Sequence, residues 1–235
     1  SKNTRDGIDF FPLMVNFEEK LYAAGKIKGS RFIKREGRPT DEAILSGRLV
    51  DRAIRPLFDE SMRNDIQVIL TALSFDGEVD SQIPAMVAAS MVLSISSIPW
   101  NGPIGGVRIG QVEGAWKINP TIAEKQLSTV DIVIAGTPEK IIMVEAGCKE
   151  TSEDQVVEAM QFGAKELAPL LDFIKKIQAE VGQTKIDLAG KESEAKTNLE
   201  AAEKLADELV ASHVDDWIFN TPKMDSRERV SLIEI

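Results

Sequence analysis

The chain has 235 residues, of which 43% are hydrophobic and 28% charged, and these proportions are typical of folded globular proteins. A single cysteine excludes an internal disulfide, and a single histidine leaves the sequence without a zinc-binding set. At roughly 150 residues per domain, the length predicts one large domain, or one domain with an appendage.

The longest largely apolar stretch, residues 83–98, is interrupted by Pro84 and four serines. A membrane-spanning helix needs roughly 20 mostly apolar residues, so we predict no membrane partner. Residues 1–7 are polar and lack a signal core, which favours a cytoplasmic location. The chain begins with Ser1 and ends inside a predicted helix, so we expect both ends to be cut from something longer.

The net charge of -10 argues against a nucleic-acid partner, but the charge is unevenly distributed. Residues 26–55 hold nine of the 28 basic residues and only four acidic ones. An acidic protein can still bind a polyanion at a concentrated basic segment, because the local field decides the interaction.

The first half of the chain shows five patterns. Residues 9–22 predict a strand followed by an irregular piece, and residues 26–39 predict a basic, glycine-containing loop. A helix is expected from a Thr40 cap to Pro56, and a strand over 66–75. Pro84 is expected at the first position of the next helix.

The second half changes from hairpins to helices. Residues 107–118 and 130–144 each predict an antiparallel hairpin, and their alternation with helices indicates an α+β fold rather than a doubly wound sheet. Ser152 begins a capping box before a long helix that ends at Gly182.

No strand signal follows Val144, and residues 183–193 are polar without a period. Helical spacing returns at Leu199, and Asp225 with Glu228 marks one more helix. We therefore predict an α+β domain over residues 1–182 and an all-helical domain over residues 183–235.

Arg48, Arg52 and Arg55 have the spacing i, i+4, i+7, which places three guanidinium groups along one stripe of the predicted helix. One interpretation is a phosphate clamp, since guanidinium forks match phosphate oxygens. The other is internal pairing with acids such as Asp51 or Glu42. The sequence leaves both open.

The basic loop supplies a second candidate. Phe32 lies among Lys34, Arg35 and Arg38 in a glycine-bounded segment. Single-stranded nucleic acid binds to this combination, with bases on the ring and phosphates on the cations. The alternative is an ordinary surface loop with Phe32 turned into the core.

Several short strings, in order from about residue 9 to residue 163, resemble the bacterial polynucleotide phosphorylase family. They are Asp9-Phe-Phe-Pro-Leu, Tyr22-Ala-Ala-Gly-Lys, Lys34-Arg-Glu-Gly-Arg-Pro, Arg48-Leu-Val-Asp-Arg-Ala-Ile-Arg-Pro-Leu-Phe, Asn101-Gly-Pro-Ile-Gly and Met143-Val-Glu-Ala-Gly. The resemblance implies a first RNase PH-like core without its opening strands, followed by part of a helical inter-core domain.

The resemblance also implies a function. Members of the family degrade single-stranded RNA from the 3′ end with inorganic phosphate, release nucleoside diphosphates, and act as homotrimeric rings with magnesium. The chain is then a fragment of such an enzyme. The alternatives are a non-catalytic module that binds RNA or supports a ring, and a separate enzyme that acts on small anions through its arginines.

The family carries its catalytic residues in the second core, as Asp, five residues, Asp, one residue, Lys before Val-Ala-Gly. Laid on Ile134-Ala-Gly of this chain, the pattern gives Lys125, Asp131 and Val133, so two of three positions lack the required group. The resemblance therefore implies no catalytic residue and no metal ligand here.

The same resemblance favours contact with RNA in the basic loop, which lines the channel entrance in the family. The implied RNA-binding residues are Phe32, Lys34, Arg35 and Arg38. The arginines at 48, 52 and 55 remain either phosphate-binding or structural.

Overall fold

The computed structural model describes residues 7–27, 37–137, 139–186, 193–211 and 213, with only the backbone for residues 193–200. The chain divides into two compact units, Ser1–Ile186 and Asp187–Ile235. The first unit combines a parallel strand pair, an antiparallel sheet and helices, which confirms the predicted α+β class.

The parallel pair consists of β1 (Leu13–Glu19) and β2 (Ile66–Ala72), connected through helix α1 (Asp41–Ile54). The hydroxyl of Thr40 caps α1 by accepting a hydrogen bond from Ala43 N at 3.0 Å, as the sequence predicts. A Cβ on Gly47 would lie 3.1 Å from the carbonyl oxygen of Val15, so this glycine lets the helix approach β1 closely.

The antiparallel sheet has the strand order β4-β3-β5-β6. Its strands are β3 (Gly105–Val112), β4 (Ala115–Ile118), β5 (Val130–Gly136) and β6 (Ile141–Cys148). Two further helices of the first unit are α2 (Gln82–Ile95) and α4 (Glu153–Val181), and the described residues of the second unit include α5 (Ser193–Val210). A short helix, α3 (Ile122–Leu127), lies between β4 and β5. Both predicted hairpins are present.

Strand β5 is covered on both faces. Ile132 and Ile134 belong to a cluster with residues of α4, while Val133 and Ala135 belong to a second cluster with α1, α2, β1 and β2. Successive side chains of a strand point to opposite faces, so the unbroken apolar run of β5 joins the two clusters through one strand.

Helix α4 packs closely on this sheet at Gly163, where an added Cβ would lie 2.7 Å from Cδ1 of Ile109. Ser152 caps the helix by accepting a hydrogen bond from Gln155 N, which is one half of the predicted capping box, while the Gln155 side chain accepts from the Ser152 hydroxyl at 3.3 Å. The helix ends at Val181, immediately before Gly182.

Several boundaries differ from the sequence predictions. Strand β6 continues past Val144 to Cys148, because its backbone pairs with β5 although the residues there are mostly exposed. Helix α2 begins at Gln82, which puts Pro84 at the third helical position rather than the first. Helix α3 is absent from the predictions, and the expected helix at 225–228 lies outside the described residues.

The chain after α4 is held against the end of α2. Gln183 N donates to Ile95 O at 2.9 Å, and Ile186 N donates to Ser97 O at 2.8 Å. The ammonium of Lys185 donates to three carbonyl oxygens, those of Leu93, Ser94 and Ser96, at 2.7, 3.1 and 2.8 Å. Because a helix ends with unpaired carbonyls and a partial negative charge, this lysine serves as a cap for α2.

In the second unit, α5 exposes the apolar residues Leu205, Leu209 and Val210. Among the helices that the described residues form, none combines the length and the hydropathy needed to cross a membrane.

We predict that Lys185→Met lowers the free energy of unfolding by about 1–2 kcal/mol, because charge-assisted hydrogen bonds to three carbonyls are lost from a partly exposed site. Urea denaturation followed by circular dichroism measures the change. Lys176→Met, at an exposed position of α4, is the matched control and should change stability by less than about 0.5 kcal/mol. Equal effects of the two substitutions would contradict the capping role.

Candidate functional site

The three arginines of α1 and the turn after it lie in different surroundings. Arg55 is bound internally, since its guanidinium pairs with Asp51 at 2.8 Å and donates to the carbonyl oxygens of Phe11 and Leu13. It also lies 5.9 Å from the centroid of the Phe11 ring. This set of contacts fixes the start of β1 against the end of α1.

Arg52 pairs with the carboxylate of Glu145 on β6 and donates to Val144 O at 3.2 Å. Arg48 is exposed and, within the described part of the chain, makes no hydrogen bond or ion pair. The structure therefore engages two members of the arginine stripe internally and leaves one directed to solvent.

Of the basic loop, the structure describes residues 26–27 and 37–39. Arg38 is exposed just before the Thr40 cap. The other three candidate residues, Phe32, Lys34 and Arg35, lie outside the described residues.

A second cluster forms around Arg108 of β3, which is only 5% exposed. Its Nη1 donates to both carboxylate oxygens of Asp131 at 2.8 and 2.9 Å. Its Nη2 donates to Gln82 Oε1 at 2.5 Å and lies 3.3 Å from a carboxylate oxygen of Asp80. The strand register explains the first pair: Gly110 lies opposite Asp131, so Arg108 is its diagonal neighbour on the same face.

Lys125 completes this cluster. Its ammonium lies 3.2 Å from Asp131 Oδ2 and 3.7 Å from Asp80 Oδ2. Two cations thus face two carboxylates, and Arg108, Lys125, Asp80 and Asp131 together carry no net charge. We call these four residues the ion cluster.

Helix α3 positions Lys125 through its own cap. Thr121 accepts a hydrogen bond from Glu124 N, and the Glu124 carboxylate accepts one from Thr121 N at 2.9 Å. The ammonium of Lys117 on β4 also contacts this carboxylate. These contacts, with Lys117 as the largest contribution, lower the pKa of Glu124 to about 2.

Two members of the ion cluster, Lys125 and Asp131, occupy positions that the family resemblance compares with a catalytic centre. The side chain of Val133, at the third compared position, is buried in the core with only 3% exposed. Magnesium does not fit here, because the ammonium of Lys125 already lies between the two carboxylates and Arg108 neutralises them further. Among the described residues, no group of three or more His, Cys, Asp or Glu side chains is arranged to hold a metal ion.

The sequence predictions missed Arg108, Asp80 and Gln82. The available signal was a single charged residue in the otherwise uncharged strand 105–112, since a buried charge requires a partner. Which partner it has depends on the pairing of β3 with β5 and on the start of α2.

Comparison with known proteins gives the class. Residues 1–99 match domain 1 of the 3′ exoribonuclease family, and residues 102–166 match domain 2. The chain belongs to this family, with the two RNase PH domains in succession.

Within the family, the chain is a homologue of polyribonucleotide nucleotidyltransferases. It is 49% identical over 209 residues to the protein of that name from Halalkalibacterium halodurans, which covers 89% of this chain and 29% of the relative. It is 44% identical over 233 residues to that of Staphylococcus carnosus, covering 99% of this chain and 32% of the relative. The chain therefore spans about three tenths of the length of these relatives.

Among solved structures, that of rice (Oryza sativa) Rrp46 matches with a TM-score of 0.58 at 13% sequence identity. The match covers 75% of this chain and 78% of the rice protein, and it supports the fold.

We predict that Arg108→Leu lowers the free energy of unfolding by about 3 kcal/mol, because it removes one side of a buried ion cluster and leaves the carboxylates undercompensated. Lys125→Leu removes a more exposed cation of the same cluster and should cost less than about 1 kcal/mol. Urea titrations of both variants measure the difference. A smaller loss for Arg108→Leu than for Lys125→Leu would refute this account of the cluster.

We predict that the carboxyl group of Glu124 titrates near pH 2, as its contacts require. A carboxyl whose pKa is lowered in the fold contributes stability that is present above its unfolded pKa and lost as pH falls toward the folded value. The side-chain carboxyl ¹³C shift of Glu124 in an NMR titration checks this. Lys117→Met should move the midpoint up toward 4.5, the ordinary glutamate value, and an unchanged midpoint would rule out the assigned cause.

Proposed function

We propose that the chain is part of a polyribonucleotide nucleotidyltransferase, a phosphorolytic 3′ exoribonuclease that converts RNA and inorganic phosphate to nucleoside diphosphates. In that enzyme, which the sequence resemblance pairs with magnesium and a homotrimeric ring, this part binds RNA and supports assembly without carrying the active site. The chain's identity of 42–51% to such enzymes supports the family reading.

The observation that carries the non-catalytic role is the internal neutralisation of the ion cluster. Phosphoryl transfer needs cations whose charge is available to the phosphate oxygens and carboxylates that can hold a metal. Here Arg108 and Lys125 are engaged by Asp131 and Asp80. Val133 presents an apolar side chain where the family pattern has a lysine.

The proposal of RNA contact rests on two arginines, one just before α1 and one in the middle of it. Arg38 and Arg48 are both exposed, and in the described part of the chain Arg48 has no acidic partner. Both lie in residues 26–55, where nine basic residues are concentrated. Charges that are not used internally remain available to phosphates of a single strand. Because Arg52 and Arg55 bind Glu145, Asp51 and three carbonyl oxygens, we assign those two arginines a structural role.

A second candidate function is an assembly module that does not contact RNA. It is favoured by the internal engagement of two of the three arginines. The two candidates differ in one measurable respect, since only the first predicts a salt-dependent affinity for RNA that depends on residues 26–38.

We predict that the purified chain releases no ADP above background from poly(A) with phosphate and magnesium, because the ion cluster has neither a free metal-binding pair nor a free cation. Chromatographic detection of nucleoside diphosphate measures this. A full-length bacterial polyribonucleotide nucleotidyltransferase is the positive control. ADP release that Asp131→Asn abolishes would overturn the non-catalytic assignment.

We predict that changing Lys34 and Arg35 together to Ala flattens the plot of log affinity against log salt by roughly one to one and a half units, since each phosphate contact on a single strand contributes about -0.7. The effect should be similar for different RNA sequences, because phosphates carry no base identity. Phe32→Ala should weaken binding with little change of slope. Filter binding in the assembled ring, at several salt concentrations, gives the slopes.

The matched control for that double substitution is Lys175→Ala with Lys176→Ala, two adjacent exposed cations on α4. It removes the same charge from the chain and should leave the slope unchanged. If the control and the loop variant flatten the slope equally, the effect is one of overall charge and the loop assignment fails.

A further inference from the structure

A cavity of about 530 Å³ lies between α2, α4 and the β3–β4 hairpin. Its wall is mainly apolar, with Ile83, Val87 and Met91 from α2, Leu170 from α4 and Ile118 from β4. Cavities of 300–1,000 Å³ with an apolar wall and a few polar groups are typical of small-molecule sites. None of the candidate RNA-binding residues lines this cavity.

Four polar residues line part of the same cavity: Asp80, Arg108, Asn119 and Glu166. Asn119 uses its carbonyl oxygen to accept a hydrogen bond from Arg108 N at 2.9 Å, so its amide nitrogen is left as a donor. Glu166 is exposed and, in the part of the chain that the structure describes, has no ion-pair partner. The polar part of the wall therefore offers both a hydrogen-bond donor and an acceptor.

The charges of this wall disfavour an ionic ligand. Arg108 is bound by Asp131 and Asp80, so it has little charge left to attract an anion. The carboxylate of Glu166 would repel an anion, while a cation would gain only a solvent-exposed pair with Glu166 and would lose its hydration against an apolar wall. An uncharged group that both donates and accepts hydrogen bonds avoids both the repulsion by Glu166 and the loss of ionic hydration.

We propose that this cavity binds a small uncharged molecule with an apolar body and a carboxamide-like polar end. The body lies against Val87, Met91 and Leu170, and the polar end faces Asn119 and Glu166. The site is independent of the proposed contact with RNA, since the two share no residue.

The test uses the purified 235-residue chain with ¹³C-labelled methionine methyl groups, and 4-phenylbutanamide as the probe. Met91→Leu assigns the Met91 signal. Titration with 4-phenylbutanamide should shift the Met91 signal saturably. The amide should bind at least about tenfold more tightly than 4-phenylbutyrate or 4-phenylbutylammonium, which share its apolar body but carry a charge.

Two matched variants locate the site. Ala88→Trp places a large ring in the cavity wall and should weaken binding of the amide by at least about tenfold. Val92→Trp places the same ring at an exposed position of α2 that does not line the cavity, and it should leave binding unchanged. Thermal melting establishes that each variant is folded.

Three results would overturn the proposal. The first is the absence of a saturable Met91 shift at millimolar amide in the unaltered chain, a measurement that depends on no variant. The second is equal binding of the amide and the two charged probes. The third is unchanged amide binding in a folded Ala88→Trp variant.

Discussion

The burial of β5 on both faces is the constraint on which the rest of the first unit depends. A strand whose successive side chains are apolar must be covered on both faces, because an uncovered face would expose half of its apolar side chains to water. Helix α4 covers one face, with Gly163 permitting the close approach, and α1 and α2 cover the other. The two hydrophobic clusters are therefore parts of one layered arrangement with β5 at its centre.

This arrangement also decides the character of the ion cluster. Asp131 is the single charged residue of β5, and a carboxylate at the edge of so apolar a region needs compensation close by. Arg108 supplies it from the neighbouring strand, and Lys125 adds a second cation from α3. The charges of this cluster are paired with one another, although the Nε of Arg108 is buried without a hydrogen-bond partner among the described residues. Membership of the family is thus compatible with the non-catalytic role proposed for this part of the enzyme.

The sequence predicted those features that depend on neighbours a few residues apart. The caps at Thr40 and Ser152 each depend on a residue three positions away, and both hairpins depend on short turns. The ion cluster was not predictable in this way, because Arg108 and Asp131 are 23 residues apart and meet only through strand register. The pairing of Arg52 with Glu145 spans 93 residues and depends on the packing of α1 against β6. The sequence identified the basic segment that contains the candidate RNA-binding residues. Their contact with RNA stays a prediction.

The attachment of residues 183–186 to the end of α2 has a mechanical consequence. A pulling force applied to the chain beyond Ile186 reaches the first unit through two backbone hydrogen bonds and the three bonds of Lys185, before any load falls on α4. These bonds join segments about ninety residues apart in the chain, as Lys185 and Leu93 are 92 positions apart. Tension is therefore passed to the buried helix α2 rather than used to unwind α4 from its C-terminal turn. The first unit therefore meets a pull from that side through α2, half of whose residues are buried.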